Sequence, residues 1–104
     1  MNLEDLRVFT EVAKEANITK AAVRLNFVQS NVTAKIKRLE KIYNTKLFYR
    51  HKHGVDLTSS GKVLLNYAEQ VLQLMGDAEK TLKNSSVPQG TLSIGSMETT
   101  TATR

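Results

Sequence analysis

Cysteine is absent from the 104 residues, and proline occurs once, at Pro88. Lack of cysteine excludes a disulfide framework, a thiolate zinc site and a cysteine nucleophile. No apolar run approaches the ~20 residues that span a bilayer. Met1–Asn2–Leu3–Glu4–Asp5 does not read as a secretory signal. The expectation is a soluble cytoplasmic protein with no membrane partner. Apolar residues make up 40% of the chain, enough for a small core and too many for a disordered tail. Acids are scarce where bases are dense. From Lys20 to Lys52 nine Lys and Arg residues stand against one acid, Glu40, a net +8 in a chain of +5, which leaves −3 elsewhere. A basic block on a slightly acidic body is the footprint of a polyanion-binding surface, with a merely solvated charged face as the alternative.

What is present is mostly helical pattern. Leu3, Leu6, Phe9, Val12, Ala13 and Ala16 recur at three- and four-residue steps, the stripe of an amphipathic helix. Asn2 can cap it, with Glu4 and Asp5 in the first turn favoured by the helix dipole. Asn17 is expected to end that helix and Thr19 to cap a short second one over Lys20–Leu25. Asn26–Phe27 reads as a turn. Val28, Val32, Ile36, Leu39 and Tyr43 then mark a third helix ending near Asn44, with Asn26 and Gln29 as its candidate capping pair. The period changes at Lys46–Arg50 and Gly54–Thr58, two strand-like runs around His51–Lys52–His53–Gly54. Gly54 can take the positive φ of a tight hairpin. Thr58 should cap a long helix reaching about Ser85, on the order of 40 Å at ~1.5 Å per residue.

Three short helices, the third basic, followed by a hairpin form a winged helix-turn-helix. A helix fits the major groove of B-DNA, and a basic hairpin can reach phosphates or the adjacent minor groove. With Val32, Ile36 and Leu39 turned inward, Ser30, Ala34, Lys37 and Lys41 lie opposite, and Gln29 and Thr33 lie on one flank. Short polar residues suited to base edges occupy the first half of that face. Cations suited to phosphates occupy the second.

The same residues resemble the N-terminal domain of LysR-type transcriptional regulators. The matching features are Leu3–Phe9, Lys20–Ala21–Ala22, Leu25, Gln29–Ser30, Val32, Ile36, Leu39–Glu40, Leu47–Phe48, Arg50, Leu57–Thr58 and Gly61, in order and without gaps. The resemblance implies a mainly α fold: a winged helix-turn-helix over 1–58, a linker and dimerisation helix over 59–86, and over 87–104 a hinge and first strand of a truncated effector-binding domain. It implies base reading by Gln29, Ser30, Thr33 and Ala34. Backbone contacts fall to Thr19, Lys20, Lys35, Lys37, Arg38, Lys41 and Arg50. His51, Lys52 and His53 form the wing tip. Ala34 departs from the longer polar or basic side chain often found there, and Val28 from a common Ser or Thr cap. The implied partners are double-stranded DNA carrying a palindromic operator, a second copy of the chain and, in the full-length protein, a tetramer. A small effector would be sensed only by the missing C-terminal domain.

Leu64, Ala68, Val71, Met75, Ala78 and Leu82 follow steps of 4, 3, 4, 3 and 4, a heptad seam suited to dimerisation; packing back onto the first helix is the alternative. A different functional class stays open at this point, a helical dimerisation or scaffold module whose basic patch binds acidic partners or a membrane surface. Salt-sensitive binding without discrimination among duplexes would mark it. His51 and His53 invite a metal, but two histidines without cysteine or a nearby acid make a poor site. A wing-tip contact, with charge rising below the reference histidine pKa of ~6.5, suits them better. No Ser–His–acid constellation or P-loop is visible, so neither an enzyme nor a cofactor is expected.

Overall fold

A computed structural model of the chain describes residues 1–84. Its elements are α1 (Leu3–Glu15), α2 (Ile18–Leu25), α3 (Gln29–Tyr43), β1 (Phe48–His51), β2 (Gly54–Leu57) and α4 (Ser59–Asn84). The expected first strand and hinge over 87–104 lie outside the described residues. Contacts divide the chain into one compact unit, Met1–Leu74, and a second beginning at Met75.

The first unit closes over one apolar core. Val8, Phe9 and Val12 of α1, Ala21 and Ala22 of α2, and Val32, Ile36 and Leu39 of α3 meet there, joined by Leu47, Phe48 and Val55 of the hairpin and Ala68 of α4. The Phe9 and Phe48 rings stack tilted, 5.3 Å apart, which ties the first helix to the first strand. Val28 and Tyr43, expected on the inner stripe, are exposed at the two ends of α3.

Local chemistry explains most boundaries. Asn2 Oδ1 accepts from the Asp5 amide at 2.9 Å and starts α1. Ala16, in the left-handed region at φ 55°, stops it. Asn17 then caps α2 by accepting from the Lys20 amide at 2.8 Å, so one residue separates the helix from the next cap. The cap expected at Thr19 therefore sits two positions earlier, on a residue with the stronger capping preference. Asn26 is also not a start signal: at φ 60° it closes α2. Val28 opens α3 with no side-chain hydrogen bond.

The hairpin pairs Phe48 with Leu57, Tyr49 with Asp56, Arg50 with Val55 and His51 with Gly54, leaving Lys52–His53 as a two-residue turn. Thr58 closes its base. Its hydroxyl donates to the Lys46 carbonyl at 2.7 Å and accepts from the Gly61 amide at 2.9 Å, capping α4 as expected. Gly61 lies so close to the Leu47 carbonyl that a Cβ there would overlap its oxygen.

In the second unit, the described residues 75–84 are helical, and Met75, Ala78 and Leu82 are exposed on them. Among the described residues no helix is long and apolar enough to cross a membrane.

Candidate nucleic-acid interface

Three adjoining clefts cover one side of the first unit. On the outer face of α3, Gln29, Ser30, Thr33, Ala34 and Lys37 line a shallow depression. All four residues expected to read bases are thus together. Thr33 is half-buried and the others are exposed. A second cleft runs between the start of α2 and the wing, lined by Thr19, Gln29, Arg50, His51, Lys52 and His53 among others. A third lies between α3 and the hairpin, where Lys37, Lys46 and Arg50 share its walls with Glu40. Gln29 belongs to the first and second clefts, Lys37 to the first and third, Arg50 to the second and third. One continuous surface joins the outer helix face, the α2 start and the wing.

The wing is held to this surface by backbone. The Val55 amide donates to the Ala16 carbonyl at 3.0 Å, so the turn between α1 and α2 docks directly on β2. At the other end Glu40 Oε2 accepts from the Leu47 amide at 2.8 Å and the Phe48 amide at 3.4 Å. A carboxylate inside the basic block thereby fixes where α3 ends and the hairpin begins. Charge counting registers Glu40 only as a lone acid. At the tip, the His53 amide donates to His51 Nδ1 at 3.2 Å, and His51 Nε2 lies 3.3 Å from Asp56 Oδ2. Among the described residues no three His, Cys, Asp or Glu side chains gather as a metal site would require.

Two of the expected phosphate-binding residues point elsewhere. Lys35 is largely covered, its Nζ 2.8 Å from Glu4 Oε1 and 3.7 Å from Asp5 Oδ1. The half-exposed Arg38 donates to Asp5 Oδ1 at 2.7 Å. Asp5 is fully buried, so its charge is neutralised by bases reaching down from α3. These cations anchor the third helix to the N-terminus of the first. By contrast Lys20, Lys37, Lys41 and Arg50 are exposed. Lys46, which stands with Lys37 and Arg50 in the third cleft, adds a cation that the family pattern alone did not single out.

A family model described as bacterial regulatory helix-turn-helix protein, lysR family, matches residues 3–62. The chain belongs to the LysR family. Its matched region covers the helices, the wing and the start of α4, and with its fold makes this a regulator's winged helix-turn-helix rather than an enzyme. Over 102 residues the chain is 50% identical to the HTH-type transcriptional regulator GltR of Bacillus subtilis, covering 98% of this chain and 34% of that protein. It therefore spans about a third of the length of this relative. The CbnR DBD–DNA complex shares the fold with a TM-score of 0.76 and 29% identity, over 83% of this chain and 99% of that one. The BenM DBD/catB site 1 DNA complex matches with a TM-score of 0.79 and 28% identity, over 86% of this chain and 99% of that one.

The heptad positions divide between two environments. Leu64 packs against the core and Ala68 is buried within it, so these two are already satisfied within the chain. Val71, Met75, Ala78 and Leu82 are exposed. The part of the seam open to another surface therefore begins at Val71, later than the sequence pattern indicated, because the periodicity continues from the intrachain contact without a break.

Proposed function

We propose that this LysR-family chain reads double-stranded DNA as a homodimer on an inverted repeat. In this reading α3 enters the major groove and the wing tip reaches the adjacent minor groove. Gln29, Ser30 and Thr33 meet base edges, and the Ala34 methyl can contact a thymine methyl. Lys20, Lys37, Lys41, Lys46 and Arg50 hold phosphates. The observation that carries the proposal is the continuous exposed surface of α3, α2 start and wing, on a fold whose solved neighbours include DNA complexes. Val71, Met75, Ala78 and Leu82 supply the dimer contact, and a twofold axis would match a palindromic site. Tetramer formation and response to a small effector belong to the longer regulator, acting in the cytoplasm where bacterial DNA lies.

Competition gel shifts test the reading. Genomic binding by the full-length regulator supplies the operator, and random duplex is the competitor. Gln29→Ala and Thr33→Ala should each cost ~1–3 kcal/mol on the operator with little change on random DNA. Equal losses on both duplexes would remove these residues from base reading.

A salt titration separates the cations. Counterion release makes the slope of log affinity against log salt scale with the number of phosphates neutralised. Lys37→Gln, Lys41→Gln and Arg50→Gln should each reduce the slope by about 1. Lys35→Gln should leave it unchanged, because that ammonium is held by Glu4 and Asp5. A slope lowered by Lys35→Gln would show that its ion pairs open on binding.

A further inference from the structure

Thr19, expected to hold a phosphate, does something more specific in the structure. Its hydroxyl donates to Gln29 Oε1 at 3.0 Å, a bond joining the first turn of α2 to the first residue of α3. Both side chains are exposed and line the cleft facing the wing. We propose that Thr19 is a positioning residue that sharpens the base preference of Gln29 by holding its amide beside the first turn of α2. The inference rests on Gln29 being a base contact.

The chemistry follows from the geometry that a bidentate contact demands. A glutamine that pairs in bidentate fashion with adenine must present Oε1 to N6 and Nε2 to N7 together. Here Thr19 holds the amide toward α2 through Oε1, and because a hydroxyl both donates and accepts it fixes the place of the side chain rather than its flip. A held amide meets one base edge in one geometry, whereas an unheld one samples several. Thr19 thereby sharpens discrimination without touching DNA. Neither side chain is buried, so the bond selects one rotamer on an open surface and contributes little to folding.

Selection from a randomised duplex library, followed by gel shifts on single-base variants of the selected site, tests this with the intact chain. Gln29→Ala first identifies the base pair that depends on Gln29. Thr19→Val keeps the shape of the side chain and removes the hydroxyl. It should reduce discrimination at that pair by about 2- to 10-fold, the worth of one net hydrogen bond. Thr19→Ser should retain the original preference. In a Gln29→Ala background Thr19→Val should have no further effect on discrimination.

A uniform loss of affinity across all duplexes, with discrimination intact, would overturn the proposal and return Thr19 to a phosphate role. Discrimination still altered by Thr19→Val in the absence of Gln29 would also overturn it. If Gln29→Ala leaves every base preference unchanged, the underlying base-reading assignment fails, and the proposal with it. Urea melts of each variant verify that the fold is retained. Should Thr19→Val unfold, a purely structural Thr19 is indicated and the proposal falls.

Discussion

Gly54→Ala should destabilise the first unit by about 2–5 kcal/mol and weaken binding to all duplexes alike, because two independent costs meet at this residue. Gly54 has φ +151°, a conformation that side chains rarely adopt. A Cβ there would also overlap the Ala16 carbonyl oxygen. That carbonyl cannot simply move away: it accepts the Val55 amide and belongs to the left-handed turn that stops α1 one residue before the α2 cap. Relief therefore requires lifting β2 from the helices or distorting the junction that orients α2. Either response shifts the wing from Thr19 and Gln29 without altering any side chain proposed to read bases. Urea unfolding followed by circular dichroism gives the stability change, and gel shifts on operator and random DNA give the binding change. An unaltered midpoint would mean that the hairpin can rise from the α1–α2 turn at little cost.

Gly54 also illustrates what was readable before the structure. Its use in a tight hairpin is a local property of a glycine between two strand-like runs, and so is visible in sequence. Its role as the docking point for Ala16 depends on residues 38 positions apart meeting in space. The same division holds elsewhere. Asn2, Thr58 and the inward stripe Val32–Ile36–Leu39 follow from capping chemistry and helical period, and each is found as expected. Asn17 rather than Thr19 caps α2 because a single left-handed Ala16 suffices to end α1, and alanine carries no turn signature. The outward face Gln29–Ser30–Thr33–Ala34 was legible because burying one stripe of a helix exposes the opposite one. Lys35 was not: helical geometry places it on α3, but only α1 supplies Glu4 and Asp5 to turn it from the open face. Likewise the heptad seam looks uniform along the sequence, while Leu64 and Ala68 are already taken up by the core of the first unit.

Asp5 offers the sharpest test of these unseen contacts. Burial alone would raise its carboxyl, but the Arg38 hydrogen bond and charge, the Asn2 amide and the Lys35 charge outweigh burial and hold it below the usual carboxylate range. With the folded value below the unfolded one, the folded state binds fewer protons in the interval between them. The stabilisation is thus present above the unfolded aspartate pKa of ~3.9 and is lost as pH falls through the depressed folded value. Asp5→Asn preserves size but leaves Lys35 and Arg38 without their shared counter-charge. At neutral pH it should cost about 2–3 kcal/mol, below the usual range for breaking a buried pair because Arg38 remains half in water. Urea melts of both proteins across pH 7 to ~2 should show this gap narrowing once the wild-type carboxyl takes up its proton. A gap independent of pH would assign the loss to the capping hydrogen bonds at Asn2. A gap that closes on acidification would identify the ionised carboxylate as the link by which the first helix holds the third helix in place.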